Sequence, residues 1–196
     1  RVVDPVYFNY LQALLAAGRD PLTVALLAVS KTHAASLVAQ AVEAGQRAFG
    51  ENYVQEAVEK MDALAGKSLE WHLIGPLQSN KTRVVAARFD WVHSVESEKV
   101  ARRLSDQRPA GMAPLKVLIQ VNVSGESSKS GVAPEGVRAL ANAISALPKL
   151  KLRGLMAVPE PTADTVMQRR RFRQLRELLD ALPGGADTLS MGMSDD

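Results

Sequence analysis

The stretch Val24-Ala25-Leu26-Leu27-Ala28-Val29-Ser30-Lys31-Thr32-His33 decides how the rest of the chain is read. Six consecutive apolar residues, 24–29, have the pattern of a strand covered on both faces, and helical spacing follows at once over 32–45. A doubly buried strand followed by a helix is one βα unit. Such a run can hold no charge inside, so Lys31 has to emerge at the strand's carboxyl end, where barrels and doubly wound α/β sheets place their chemistry. There its ε-amine is a candidate nucleophile. When neutral, a form that partial burial or a nearby cation favours, it attacks a carbonyl to give a Schiff base. For this residue taken alone, a lysine that snorkels at a strand end or pairs with a carboxylate is the commoner case.

The unit recurs down the chain. An amphipathic helix over 6–17, carried by Phe8, Leu11, Leu14 and Leu15, precedes the first strand. In the helix after it, Leu37, Val38, Ala41 and Val42 make the apolar face, with Thr32 as candidate N-cap and Gly45 as the stop. Further strands are expected at 47–52, 69–75, 89–95, 116–123, 152–158 and 188–192. Between them lie helical patterns such as Val54, Ala57, Val58, Met61 and Leu64, or Val137, Leu140, Ala141 and Ile144 after Pro134. The last helix, 163–182, is carried by Phe172, Leu175, Leu178, Leu179 and Leu182.

Seven strands alternating with helices, with no hairpin signal, argue for an all-parallel α/β architecture. An open dinucleotide-binding sheet needs a Gly-rich turn after its first strand, and that place holds Ser30-Lys31-Thr32-His33. The expected fold is therefore a (β/α)8 TIM barrel, a single domain over 1–196, whose eighth strand is missing from the chain. The chain opens at Arg1 without a Met and stops just after the seventh strand and its loop, so it reads as incomplete at both ends. Its 196 residues also fall short of the roughly 250 typical of this fold.

Composition narrows the function classes. With 46% apolar residues the chain can bury a sizeable core. A net charge of +3, spread along the sequence, suits an anionic ligand but gives no reason to expect nucleic acid. The absence of cysteine removes disulfides and thiolate metal sites, and the three histidines have no zinc-ligand spacing, so no metal is expected. No apolar run approaches the roughly 18 residues of a membrane span and no signal-peptide pattern opens the chain; the cytoplasm is the expected compartment.

In a barrel, the carboxyl ends of the strands share one rim. Here they bring Lys31, then Glu51 and Asn52, then the loop after His72, then Asn122, Met156 and 190–194. Ser190-Met191-Gly192-Met193-Ser194 offers backbone N–H groups and two hydroxyls, a phosphate cradle in form, although an ordinary βα turn has the same composition. Five blocks stand in order over 24–196: Leu27-Ala28-Val29-Ser30-Lys31-Thr32, Phe49-Gly50-Glu51-Asn52-Tyr53-Val54-Gln55-Glu56, His72-Leu73-Ile74-Gly75-Pro76-Leu77-Gln78-Ser79-Asn80-Lys81, 121–131, and Leu189-Ser190-Met191-Gly192-Met193-Ser194-Asp195-Asp196. Together they resemble the pyridoxal phosphate homeostasis protein family. The resemblance implies a barrel similar to the N-terminal domain of alanine racemase, with pyridoxal 5′-phosphate held as an internal aldimine. On this chain it implies Lys31 as the aldimine lysine, Asn52 and His72 lining the pocket, Met156 near the ring, and Ser190 and Ser194 at the phosphate. It also implies a monomer that takes part in cofactor homeostasis, with PLP-dependent apoenzymes as the recipients to consider.

A racemase needs acid–base groups on both faces of the substrate carbon, and in the racemase fold the second comes from a separate C-terminal domain. The expectation is accordingly a carrier and not an enzyme, with no catalytic residues assigned; a weak PLP-dependent racemase or lyase is the alternative. Other features read as structural. Arg169, Arg170, Arg171, Arg173 and Arg176 read as a solvated helix face, Lys129 as a loop lysine, His72 and His93 as hydrogen-bonded histidines, and Trp71 and Trp91 as core or barrel-flank residues.

Overall fold

The computed structural model describes residues 5–125, 130–159, 162–182 and 184–192. In chain order the elements are α1 (Pro5–Ala16), β1 (Ala28–Val29), α2 (Ala35–Glu43), β2 (Ala48–Glu51), α3 (Val54–Ala63), β3 (Glu70–Leu73), α4 (Thr82–Arg88), β4 (Trp91–Val95), α5 (Glu98–Gln107), β5 (Leu115–Gln120), α6 (Val137–Ser145), β6 (Leu150–Met156), α7 (Thr165–Asp180) and β7 (Thr188–Ser190). Each strand pairs in parallel with its sequence neighbour, in the order β1 to β7. Among the described residues β1 and β7 do not pair with each other. Seven strands thus curl into part of a barrel with helices outside it, the α/β barrel architecture expected from the alternation of elements. Among the described residues no helix is long and apolar enough to cross a membrane.

Period-two alternation sorts the side chains into two cores. On β5, Leu115, Val117 and Ile119 point outward and are fully buried against Val137, Leu140, Ala141 and Ile144 from α6, which are themselves buried. Burying each of these larger side chains stabilises the fold by roughly 1.5–3 kcal/mol. The intervening Leu118 points inward and packs with Trp91 and Met156 in a small separate cluster inside the barrel. α5 and α7 start behind capping side chains: Ser97 accepts from the Val100 N–H, and Asp164 from the Val166 and Met167 N–H groups.

Two expectations are corrected. The run 24–29 is not a strand covered on both faces, because only Ala28 and Val29 join the sheet and Val29 is 47% exposed. Among the described residues β1 has a single neighbour, β2, and side chains hold the rest of the run: Gln46 Nε2 donates to Leu26 O at 3.0 Å, and the Tyr10 hydroxyl donates to Val24 O. Thr32 does not cap α2. It lies in the left-handed region at φ 66°, inside the turn, and the helix begins three residues later behind Ala34.

Gly75 fixes how the chain leaves β3. A Cβ there would stand 2.4 Å from the Asn52 carbonyl oxygen and 2.6 Å from Asn52 Cα, both backbone atoms that no rotamer change can move. Gly75→Ala is therefore expected to cost about 1–3 kcal/mol, read as a lower urea midpoint at unchanged slope.

Candidate functional site

Lys31 sits in the turn after β1, exposed, and among the described residues its ammonium has no hydrogen-bond or ion-pair partner. The residues on either side of it are held hard. Lys60, buried on α3, places its three N–H donors on Ser30 O at 2.5 Å, Glu51 Oε1 at 2.7 Å and Glu56 Oε1 at 2.6 Å. Ser30 Oγ donates to Glu51 Oε1 at 2.5 Å, and the Thr32 N–H donates to Glu56 Oε1 at 2.6 Å. The bond from Lys60 above all, with that from Thr32, holds the Glu56 carboxyl below its usual range. Ser30 and Thr32 are thereby tied to one buried ammonium and its two carboxylates, and Lys31 projects from between two fixed points. Glu51 belongs to this clamp. The expectation that it reaches the rim is corrected: it shares the outward face of β2 with Phe49, is fully buried and meets α3.

Inside the barrel a second polar group is threaded through the apolar cluster. His72 on β3 stacks on Trp91 of β4, ring centroids 5.3 Å apart and 9° from parallel. His72 Nδ1 lies 2.9 Å from His93 Nε2, and His93 Nδ1 lies 2.8 Å from Ser190 Oγ on β7. At the other end His72 Nε2 lies 3.0 Å from Glu70 Oε1, while Lys116 on β5 donates to Glu70 Oε2 at 2.9 Å. The Trp91 ring also receives two cations, Lys116 Nζ at 4.9 Å and Arg153 at 5.2 Å from its centroid. The hydrogen bond from His72, followed by that from Lys116, outweighs burial and holds the Glu70 carboxyl far below its usual range. Burial, reinforced by the neighbouring His72, pushes the His93 imidazole down to about 3.

The sign of that shift sets an acid sensitivity. An unfolded histidine binds its proton at about pH 6.5, so between there and about 3 the unfolded chain holds a proton that folded His93 refuses. Stability is lost as pH falls through this window. Glu70, whose carboxyl is lowered, adds a loss of the same sign below about pH 4.3. The urea midpoint is expected to drop steadily from pH 6.5 downward, and His93→Gln to flatten the slope between pH 6.5 and about 4.5.

The structure thus brings His72 and Ser190 together through His93, with Met156 buried beside Trp91 and paired in register with Ser190. Lys31 and Asn52 follow the adjoining strands β1 and β2; Asn52 is half-buried and its backbone packs on Gly75. Among the described residues, neither of their side chains is hydrogen-bonded to the histidine group. Ser194 and Lys129 lie outside the described residues. Arg171 departs from the solvated face expected of α7: it donates to Val123 O at 2.6 Å and Ser124 O at 3.3 Å, tethering the chain after β5. Sequence reading did not find Lys60 or Glu70. The sole local sign of Lys60 is its i,i+4 spacing from Glu56, which is also the mark of an ordinary surface pair.

The profile of the family described as "Alanine racemase, N-terminal domain" matches residues 8–196. The "Pyridoxal phosphate homeostasis protein" of Pseudomonas aeruginosa is 63% identical over 185 residues, covering 94% of this chain and 80% of that protein. The protein of the same name from Escherichia coli K12 is 52% identical over 188 residues, covering 91% and 79%. Among solved structures, PipY of Synechococcus elongatus with PLP bound superimposes with a TM-score of 0.79 at 38% identity, covering 94% of this chain and 88% of that one. An alanine racemase of Clostridium difficile shares the fold, with a TM-score of 0.71 at 17% identity, and half of that chain is covered.

Proposed function

The chain belongs to the alanine racemase N-terminal domain family and, within it, to the pyridoxal phosphate homeostasis proteins, and from that premise we propose that it binds pyridoxal 5′-phosphate as a Schiff base on Lys31, to store the cofactor or hand it on without turning over a substrate. The observation that carries this reading is the clamp around Lys31: two fixed residues bracket an amine with no partner of its own among the described residues, at the rim of the barrel. That is the arrangement a covalent anchor requires, since the nucleophile is presented while the backbone beneath it is immobile.

The residues present fit the group. Trp91, Leu118 and Met156 make an apolar floor, and His72 adds a flat ring stacked on it. Ser190 stands half-buried at the carboxyl end of β7, where a barrel collects phosphate. In this reading Asn52 and His72 line the pocket, Met156 lies near the ring, and Ser190 with Ser194 holds the phosphate. When bound, the cofactor supplies a carbonyl carbon for the lysine and an electron sink; the chain supplies position and charge. The PLP-bound PipY structure, at 38% identity, supports the choice of cofactor. A monomer acting in the cytoplasm, with PLP-dependent apoenzymes as recipients, completes the proposal.

The test is transfer. The loaded full-length protein is expected to restore a PLP-dependent apoenzyme in the presence of a trap that removes free cofactor, and to racemise L-alanine no faster than free PLP does. Sustained racemisation above that background would overturn the carrier reading in favour of a weak racemase.

A further inference from the structure

When each histidine carries one proton, donor counting gives the hydrogen bonds from Glu70 to Ser190 a single direction. Glu70 is a carboxylate held to Lys116 and can only accept, so His72 carries a proton on Nε2. With that single proton on His72, its Nδ1 is bare and His93 must donate from Nε2. With a single proton on His93, its Nδ1 is bare in turn, and the Ser190 hydroxyl must donate into it. Ser190 then turns lone pairs, not its proton, toward the rim. A phosphate oxygen is an acceptor and finds no donor in that hydroxyl.

We propose that Glu70, His72 and His93 are positioning residues that turn the Ser190 hydroxyl, and that a phosphate group binds at Ser190 together with one proton that reverses the chain of hydrogen bonds. The proposal rests on Ser190 being a phosphate contact in the reading above. The proton balance is simple. The proton of His93 Nε2 passes to His72 Nδ1, the Ser190 proton passes to His93 Nδ1, and Ser190 Oγ receives one proton from solvent, which it donates to the phosphate. All three donors now point toward the rim, and the net positive charge rests on His72.

The surroundings favour that resting place. Glu70 faces His72 at 3.0 Å from the same strand, with Lys116 of β5 on its other oxygen. Arg153 of β6 is paired with Asp187, which precedes β7, through two bonds of 3.0 Å. Among the described residues His93 is hydrogen-bonded to His72 and Ser190 alone and is buried, so it passes the proton on and does not keep the charge. Its strongly lowered basicity agrees. The relay also makes release simple: loss of one proton turns Ser190 away from the phosphate.

The experiment uses the full-length protein with pyridoxine 5′-phosphate, which has no aldehyde and so cannot react with Lys31. The chain has three histidines, so their ¹⁵N ring resonances are assignable. At pH 8.5 the phosphate, with a second pKa of about 6, is a dianion and brings no proton of its own. The expected result is that His93 changes from the Nε2–H to the Nδ1–H tautomer on binding, and that His72 becomes doubly protonated. Calorimetry in buffers of different ionisation enthalpy should read close to one more proton taken up per ligand in the wild type than in His93→Gln. Affinity should fall by up to about tenfold per pH unit on the alkaline side. Saturable binding with unchanged tautomers, or with His72 already doubly protonated in the free protein, overturns the relay and leaves the cofactor site standing. Absence of saturable binding overturns both. If His93→Gln does not fold, the wild-type spectra decide alone.

Discussion

Lys31→Ala is expected to abolish the visible absorption that develops when PLP is added, and with it all adduct recovered after borohydride reduction, while leaving the fold intact. The side chain is exposed and makes no hydrogen bond or ion pair among the described residues, so truncating it should change stability by no more than about 0.5 kcal/mol. The clamp at Ser30 and Thr32 uses their own hydroxyl and backbone groups with Lys60, Glu51 and Glu56, and does not involve the Lys31 side chain. Loss of the covalent complex at unchanged unfolding midpoint separates the chemical role of this residue from a structural one. Retention of the band in Lys31→Ala would move the anchor to another lysine.

Lys60→Met is expected to have the largest effect on stability. It removes the buried ammonium that satisfies Ser30 O, Glu51 and Glu56 together, and strands a fully buried Glu51 carboxylate whose Oε2 already lacks a partner among the described residues. Leaving one member of a buried pair uncompensated costs about 3–5 kcal/mol, because the desolvated charge keeps its penalty and loses its attraction. Urea unfolding of the wild type and variant gives this directly. The loss should extend to function: with Ser30 and Thr32 released, Lys31 no longer projects from a fixed turn, and the rate of covalent PLP attachment should fall even under conditions where the variant is fully folded. The double variant Glu51→Gln/Lys60→Met, which removes the stranded charge, is expected to regain part of the stability and none of the attachment rate. Equal recovery of both would mean that the clamp serves the core alone.

Much of this architecture is legible in the amino-acid order. The β5 pattern Leu115, Val117, Ile119 against Lys116, Leu118, Gln120 is a strand whose two faces meet different surroundings, and the helix patterns at 3.6 residues mark the outer layer. The place of Lys31 follows from elementary electrostatics, since a charge can stand only where an apolar run ends. The errors have physical causes too. The first strand looked doubly buried because apolar composition does not reveal how many residues of a run join a sheet, and among the described residues only Ala28 and Val29 do. The direction of Glu51 was within reach: it follows Phe49 by two residues, so an outward Phe49 carries Glu51 outward with it. The histidine chain was not within reach. It depends on the register that sets His72 beside Trp91, a property of strand pairing. Lys60 is hidden for a similar reason, its burial arising from Ser30 and Glu51, residues distant in sequence.

The most direct test of the central claim is to form the complex of the full-length protein with PLP, reduce it with borohydride, digest it and locate the modified peptide by mass spectrometry. One dominant adduct is expected, on the peptide that carries Lys31, at close to one cofactor per chain. An adduct spread evenly over the surface lysines, or seated on another residue, would contradict it.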